Sequence, residues 1–380
     1  MKDNRRKFIK KTAALAAGVS VGSIASGLQV QANEKMITNP AREYRKDAGM
    51  KFCFLMNSRS PRVPFAREMG VLHAVSGVNR AQGLRPWDPE AISATKAAWD
   101  KLGIKWCVVE GPPALGSQTR LGLEGRDEEI SNFITLMKNL KKYGDVDIIC
   151  YNWMPVISWA RTNMETPGRG GALMTAFDYE DSKGKPLTEY GEVSKATLWQ
   201  TLEYFLKAVV PEAEKAGVFL SMHPDDPQVD SIQGISRIMT SVESFERMLA
   251  IYPSRYSGIT MCQGNFSLMG ADIPSLVRRW GKDVISFVHF RNIQDLSGNI
   301  PSTKFVETFH DEGQIDMYEA MKAYYDIGFE GPLRPDHVPV MSTEIENPDM
   351  RGGYTTLGTL YATGYIRGLA ESVAKQGSKI

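Results

Sequence analysis

Residues 218–227 read Val-Phe-Leu-Ser-Met-His-Pro-Asp-Asp-Pro, an apolar run that passes directly into a polar segment. The nearly continuous apolar run at residues 218–222 predicts a strand covered on both faces, as in a parallel sheet with helices outside. The run stops at His223, and the Pro-Asp-Asp-Pro that follows is typical of a loop. A buried strand that ends in polar side chains is the arrangement from which α/β enzymes build their sites.

Seven further stretches share this character, each being a short β-branched or aromatic run followed by a loop and a helical pattern. They are residues 51–56, 71–76, 104–110, 147–152, 257–261, 284–288 and 332–336. Eight alternating βα units predict an α/β fold, a (β/α)8 TIM barrel with long βα loops at residues 111–125 and 154–194. The alternative is a doubly wound open sheet, but the GxGxxG fingerprint is missing after the first strand.

The late strands of this predicted barrel all end at a side chain that can bind a metal. In strand order these side chains are His223, Cys262, His289 and Asp336. Because the strand ends of a barrel meet at its carboxyl-terminal face, we expect the four to converge. A thiolate, two imidazoles and a carboxylate suit a divalent transition metal, and Mn²⁺ or Fe²⁺ tolerates the open positions that a chelating hydroxy acid needs. Asp225 and Asp226 follow closely enough to orient His223.

Three other side chains are candidates for the same cleft. His310 lies in the loop after the seventh strand, with a surface-loop role as its alternative. Tyr354 precedes the last helix, and a phenol packed on the barrel rim is its alternative. Arg161, in the long loop after the fourth strand, offers a cation for an anionic substrate, whereas a solvated loop is the default for such a segment.

The overall composition excludes several classes of function. Of 380 residues, 42% are apolar and 23% are charged, which excludes a disordered chain. With 45 Lys+Arg against 44 Asp+Glu, the net charge of +1 gives no whole-protein field for nucleic acid or an anionic membrane. Four cysteines without a CxxC pair exclude a disulfide scaffold and a zinc ribbon. Cys53, Cys107 and Cys150 lie inside predicted strands, where we expect small core residues.

The amino-terminal segment is predicted to be an export signal. A basic run at residues 4–11, Asn-Arg-Arg-Lys-Phe-Ile-Lys-Lys, precedes a mildly apolar run at residues 12–28 and a small-x-small site at residues 30–32. This order is similar to a twin-arginine signal, which predicts a periplasmic protein; a basic tail on a cytoplasmic protein is the alternative. The predicted organisation is a signal peptide over residues 1–32, a linker over residues 33–47 and one catalytic barrel over residues 48–380.

Several motifs closely resemble those of the mannonate dehydratases, barrel enzymes of the xylose-isomerase-like group. They are Met-His-Pro-Asp-Asp-Pro at residues 222–227, Phe-Val-His-Phe-Arg-Asn at residues 287–292, His310-x-x-Gly313-x-x-Asp316-Met317 and Arg-Pro-Asp-His at residues 334–337. Cys-Tyr-Asn-Trp-Met-Pro-Val at residues 150–156 is similar to the family's fourth-strand motif. The resemblance implies metal ligands at His223, Cys262, His289 and Asp336, and acid/base groups at His337 and Tyr354.

The resemblance also implies a reaction, the metal-dependent dehydration of a sugar acid such as D-mannonate to 2-keto-3-deoxy-D-gluconate. This hydro-lyase reaction removes a proton beside a carboxylate and protonates a departing hydroxyl. We expect His337 to transfer a proton, with Tyr354 or His310 as its partner. The side chains expected to contact the substrate are Arg291, Asn292, Arg161 and Asp225.

Other activities on the same barrel stay open because the chain departs from the family at two motifs. It reads Leu-His-Ala-Val-Ser-Gly at residues 72–77, where the family has Ala-Leu-His-x-Ile-Pro, and Asp-His-Val-Pro at residues 336–339 instead of Asp-His-Gly-His. The alternatives are a lyase on another oxidised sugar and a sugar isomerase or epimerase, although Cys262 as a ligand argues against the isomerase. The predicted partner is a small sugar acid, with no nucleic acid and, after signal cleavage, no membrane; a homo-oligomer is compatible with the sequence.

Overall fold

A closed parallel barrel forms the body of the protein, and it confirms the predicted (β/α)8 fold. The structure, a computed structural model, describes residues 45–79, 82–347 and 352–377, so the predicted signal peptide and most of the linker lie outside the described residues. The strands within them are β1 (Lys51–Leu55), β2 (His73–Val75), β3 (Lys105–Glu110), β4 (Ile148–Tyr151), β5 (Asn163–Pro167), β6 (Leu173–Asp178), β7 (Phe219–Met222), β8 (Ser231–Ile232), β9 (Ile235–Ser236), β10 (Ser257–Cys262), β11 (Ile285–Phe290), β12 (Gln294–Asp295), β13 (Lys304–Val306) and β14 (Pro332–Pro335). The barrel order is β1, β2, β3, β4, β7, β10, β11 and β14, and β14 pairs back onto β1.

Helices cover the outside of the barrel. They are α1 (Val63–Glu68), α2 (Pro89–Leu102), α3 (Ser117–Leu121), α4 (Arg126–Asn139), α5 (Lys195–Ala216), α6 (Val242–Ile251), α7 (Gln263–Leu268), α8 (Ile273–Val284), α9 (Met317–Asp326) and α10 (Thr356–Gly377). The longest of the early helices, α5, begins where the Ser194 side chain accepts the N–H of Thr197 and ends at Gly217, whose φ of 70° favours glycine. In the described part of the chain, no helix is both long and apolar enough to cross a bilayer.

The barrel has a packed interior below its open end. Seven buried residues fill it, namely Cys53, Val75, Cys107, Val108, Ile148, Cys150 and Phe287. All four cysteines of the chain are buried and unpaired, and three of them lie in this interior cluster, as expected. This packing leaves no channel through the middle of the barrel among the described residues, so we look for its chemistry at the end where the strands finish.

A second sheet, which we call the upper sheet, lies outside the barrel ladder. Its strands are antiparallel in the order β12, β13, β6 and β5, and they come from the segments that follow β4 and β11. The sequence predicted only a long loop over residues 154–194, so the upper sheet is a correction. Phe177 and Phe305 pair across it with ring centroids 5.8 Å apart, inside a small apolar cluster of their own.

Candidate active site

A cavity of about 220 Å³ lies at the carboxyl-terminal ends of the barrel strands. Its wall includes five side chains that the sequence assigned to the site: His223, His289, Asp336, His337 and Tyr354. The structure thus brings together residues from four places in the chain at the face where barrel enzymes carry out their chemistry. The wall also contains Glu110 from the end of β3 and several residues of the segment 152–159 that follows β4.

The four side chains predicted as metal ligands converge beside this cavity. His223 Nε2 lies 3.2 Å from His289 Nδ1, and Cys262 offers its Sγ within 4.8 Å of ligand atoms of both histidines. Asp336 Oδ2 lies 3.8 Å from Cys262 Sγ and 3.6 Å from His289 Nδ1. Nitrogen, sulfur and oxygen donors that lie this close together can hold one metal ion.

The protonation of these donors suits a divalent metal. His223 Nδ1 lies 2.7 Å from the Pro224 carbonyl, which only accepts, so Nδ1 carries the proton and Nε2 presents its lone pair. Burial, together with the neighbouring His289, lowers the pKa of His223 to about 3, and burial also lowers the pKa of His289. Burial raises the pKa of the Cys262 thiol well above its usual value, so a bound metal would have to displace that proton.

A network of buried ion pairs surrounds the donors. Its members are four carboxylates, from Glu110, Asp226, Glu307 and Asp336, and three guanidiniums, from Arg161, Arg291 and Arg334. Arg334 joins two of the carboxylates, with Nη1 2.6 Å from Asp336 Oδ1 and Nη2 2.9 Å from Glu110 Oε1. The network carries one negative charge in excess, and a buried excess charge calls for a cation. The residues present therefore fit a divalent transition metal.

The two arginines predicted to bind substrate are used inside this network instead. Arg161 donates to Asp226 at 2.7 Å and to Glu307 at 2.6 Å. Arg291 donates to Glu307 at 2.5 Å and to Asn265 at 2.8 Å. Both side chains are fully buried, and neither is among the described residues that line the cavity. The sequence predicted direct contact with the substrate acid, whereas the structure gives both guanidiniums protein carboxylates as partners.

Three other predicted site residues also bond away from the cavity. Asp225 accepts the backbone N–H groups of residues 238 and 239 at 2.8 and 2.9 Å, so it holds the loop after β7 and does not orient His223. Asn292 bonds to the backbone of residues 293 and 315. His310 Nε2 lies 2.7 Å from the carbonyl oxygen of Phe290, and its ring is buried off the cavity wall. The bonded atoms satisfy backbone groups that would otherwise be buried without partners, whereas Asp225 Oδ1 and His310 Nδ1 are buried with no partner among the described residues.

His337 and Tyr354 form a pair of proton-carrying groups on the cavity wall. His337 Nε2 lies 3.1 Å from the Tyr354 hydroxyl, which also lies 3.4 Å from Asp336 Oδ1. His337 follows β14 with a φ of 38°, a left-handed conformation that costs free energy at a non-glycine residue and occurs preferentially at functional sites. Gly353 makes room for the imidazole, because a Cβ there would lie 3.3 Å from His337 Cδ2.

Several residues of the site escaped the sequence-based prediction. Glu307 was missed, although a charged residue inside Phe-Val-Glu-Thr-Phe at residues 305–309 is a usable signal for a buried carboxylate. Cys150 was expected only in the core, but it also lines the cavity and belongs to a second donor group with Glu110 and His289. Trp159 lies on the cavity wall with its ring centroid 5.4 Å from that of His337.

The barrel and the donor set define a metal-dependent (β/α)8 enzyme. Comparison with known proteins narrows the class: the family model for D-mannonate dehydratase (UxuA) matches residues 62–188 and 181–379. A mannonate dehydratase from Streptococcus agalactiae serotype V is 36% identical over 320 residues, which cover 77% of this chain and 88% of that relative. Mannonate dehydratase 2 from Halalkalibacterium halodurans is 33% identical over 316 residues, covering 76% and 88%.

A solved structure agrees with these matches. The crystal structure of mannonate dehydratase from Streptococcus suis serotype 2 superimposes with a TM-score of 0.77 at 31% identity, covering 87% of this chain and 95% of that one. The chain therefore belongs to the D-mannonate dehydratase family, as its motifs predicted. The family is metal-dependent, and the donors beside the cavity are suited to that requirement.

Proposed function

We propose that the protein is a hydro-lyase that converts D-mannonate to 2-keto-3-deoxy-D-gluconate and water. The observation that carries this proposal is the His337–Tyr354 pair, which lies on the wall of the cavity beside which the His223, Cys262, His289 and Asp336 donors converge. The names of the relatives supply the substrate. A sugar isomerase or epimerase is the weaker candidate, because this chain offers a cysteine among its donors and belongs to a dehydratase family.

The chain's own residues account for both proton transfers. The reaction removes the proton from C2 and expels the C3 hydroxyl as water, so one group must accept a proton and another must supply one. The enol formed between C2 and C3 then tautomerises to the 2-keto-3-deoxy acid, which moves the enol proton to C3 with no net loss or gain. We propose His337 Nε2 and the Tyr354 hydroxyl, which lie 3.1 Å apart on the cavity wall, for these two tasks. A bound divalent cation supplies the positive charge that stabilises the negative charge developing on the substrate carboxylate.

The amide of Asn152, on the same wall, is suited to a sugar hydroxyl. The Oδ1 of Asn152 accepts from Arg120 at 3.4 Å and from the N–H of Met154 at 3.1 Å, which leaves its amide N–H group for a ligand. A polyhydroxylated acid offers an acceptor for this group. Trp159 also lines the cavity, but its indole N–H is buried and has no hydrogen-bond partner among the described residues.

For the metal, we propose Mn²⁺ or Fe²⁺ held by His223, Cys262, His289 and Asp336. The mixed nitrogen, sulfur and oxygen donors suit a first-row transition metal, and a chelating hydroxy acid needs coordination positions beyond those four. Zinc, which favours a closed tetrahedral shell with four such ligands, suits this role less well.

Product analysis tests the activity. Purified protein loaded with Mn²⁺ or with Fe²⁺ is expected to form a 2-keto-3-deoxy acid from D-mannonate, and to do so faster than from a panel of other hexonates and uronates. Dehydration converts each molecule of substrate into one molecule of product, and NMR measures the amounts of both directly. Absence of any 2-keto-3-deoxy product from folded, metal-loaded protein would contradict the proposal, and interconversion of keto and aldo sugars would favour the isomerase.

We further propose that residues 1–32 direct export through a twin-arginine route to the periplasm. Changing Arg5-Arg6 to Lys-Lys is expected to retain the protein in the cytoplasm, because this route reads the arginine pair and not only its charge. Cell fractionation measures the distribution. Changing Lys10-Lys11 to Arg-Arg is the control, which keeps the pair and the charge and is expected to leave export unchanged. Equal export of both variants would rule out the twin-arginine route.

A further inference from the structure

Glu307 is a buried carboxylate to which neither the sequence nor the family match assigns a role. It follows β13 of the upper sheet, is 2% exposed, and is not among the described residues that line the cavity. Its Oε1 lies 2.5 Å from His337 Nδ1, 2.6 Å from Arg161 Nη2 and 2.5 Å from Arg291 Nη1. Its Oε2 accepts a hydrogen bond from the Thr175 hydroxyl. One carboxylate of the upper sheet thus binds the imidazole at the barrel mouth.

The carboxylate is ionised despite its burial. Burial by itself raises the pKa of Glu307, but attraction by Arg161, His337 and Arg291 outweighs this and holds the pKa at about 2. An ionised carboxylate only accepts hydrogen bonds. Any proton between Glu307 and its neighbours therefore belongs to the neighbour.

Two neighbours of opposite kind meet at His337 Nδ1. Glu307 Oε1 is an acceptor, whereas the Arg291 Nη1 group, which also contacts Nδ1, is a donor. A neutral imidazole carries its proton on one nitrogen only. If Nδ1–H donates to Glu307, Nε2 keeps a lone pair; if Nδ1 accepts from Arg291, the proton moves to Nε2. The contact at Nδ1 thus decides what the opposite nitrogen can do in the cavity.

The surroundings favour donation to Glu307. Arg291 has other acceptors for its N–H groups, namely Glu307 Oε1 at 2.5 Å, Asp226 Oδ2 at 3.2 Å and Asn265 Oδ1 at 2.8 Å. A proton on His337 Nδ1 has the Glu307 carboxylate as its acceptor, in a charge-assisted bond. On the other side of the ring, Nε2 lies 3.1 Å from the Tyr354 hydroxyl, which can donate to it.

We propose that Glu307 is a positioning residue that keeps the His337 proton on Nδ1, so that Nε2 faces Tyr354 and the cavity as a proton acceptor. This inference rests on the proposed function, in which His337 Nε2 is then the acceptor of the C2 proton. Tyr354 is then the group that supplies a proton to the departing C3 hydroxyl. Glu307 acts in this way without touching the substrate.

Nitrogen NMR of the imidazoles tests the proposal directly. The chain has five histidines, and long-range ¹H–¹⁵N spectra of ¹⁵N-histidine protein, metal-free and loaded with diamagnetic Zn²⁺, distinguish an Nδ1–H ring from an Nε2–H ring. A His337→Gln sample identifies the His337 signals. We expect Nδ1–H in the native protein and Nε2–H in Glu307→Ala, where only the Arg291 donor remains at Nδ1.

Asp226→Ala is the matched control. It removes the other carboxylate that binds the same two arginines, at 2.7 Å from Arg161 and 3.2 Å from Arg291, but no hydrogen bond joins Asp226 to His337. We expect the Nδ1–H ring to persist in it. Glu307→Asp is the second variant if Glu307→Ala does not fold, since it keeps the charge but withdraws the oxygen, and we expect an Nε2–H fraction to appear.

Kinetics add a readout that a purely structural role would not give. With D-mannonate, Glu307→Ala is expected to lose at least about 100-fold in kcat, with KM changed by less than about threefold, because the lost contact serves proton transfer and not binding. An Nε2–H ring in the native protein, or an Nδ1–H ring retained in the folded Glu307 variants, would overturn the proposal. The ring spectra need no substrate, so a wrong substrate assignment leaves this test intact.

Discussion

Cys262→Ala is expected to abolish metal binding and, with it, product formation. The thiol is fully buried beside His223 and His289, and no other sulfur belongs to that donor group. Loss of an outer-sphere partner already costs about 10–100-fold in metal affinity, so loss of a ligand is expected to cost more than about 100-fold. Elemental analysis after dialysis should show about one ion per native chain and almost none in the variant. The metal-induced rise in Tm should vanish as well.

Cys107→Ala is the matched control for this experiment, because Cys107 is another buried barrel cysteine that belongs to neither donor group of the active site. Its metal content should equal that of the native protein. Cys150→Ala adds a discriminating case, since Cys150 belongs to the neighbouring group with Glu110 and His289. Metal lost from Cys150→Ala but retained in Cys262→Ala would move the ion to that second group and contradict the proposed ligand set.

His337→Ala is expected to retain the metal and lose most of its turnover. The imidazole lies on the cavity wall, 3.1 Å from the Tyr354 hydroxyl, while its Nδ1 is taken up by Glu307 and not by the ligand cluster. A positioned acid or base contributes about 10²–10⁴-fold to a rate, and we expect a kcat loss in that range. Initial rates of product formation, measured beside metal content, check it.

His310→Ala serves as the control for His337→Ala. It is the other histidine that the sequence placed among the catalytic candidates, but its Nε2 bonds to the Phe290 carbonyl and its ring lies off the cavity wall. We expect a lower Tm, because a buried carbonyl loses its partner, and a smaller change in kcat than in His337→Ala. A fully active His337→Ala enzyme, or equal losses in both variants, would remove His337 from its assigned role.

The barrel was predictable from the sequence because each of its strands is a local signal. A buried parallel strand is a short apolar run, and such a run needs no knowledge of its partners to be recognised. The four proposed ligands were found from the same runs, since His223, Cys262, His289 and Asp336 stand where the runs end. Strand bounds were less predictable: residues 71–76 were expected, but only His73–Val75 pairs as a strand.

The upper sheet, and the carboxylate partners of the two arginines, were not predictable in this way. Strand β6 pairs with β13, which lies far along the chain. The side chains of β5 alternate between exposed and half-buried, so this strand has no buried apolar face for the sequence to reveal. Arg161 and Arg291 read as cations for a substrate because their carboxylate partners, above all Glu307, come from other loops. Whether an arginine binds substrate or pairs with a protein carboxylate depends on contacts between distant parts of the chain, and the local sequence does not encode those contacts.

The closure of the barrel has a consequence for how the protein is made. Strand β1 pairs with β14, and Asp336 and His337 come directly after β14. The barrel therefore cannot close until β14 is available, and β1 keeps one edge unpaired until that late strand forms. The proposed metal site includes Asp336, so it would gain its last ligand only after β14, and we expect the ion to bind the closed barrel and not an earlier folding intermediate.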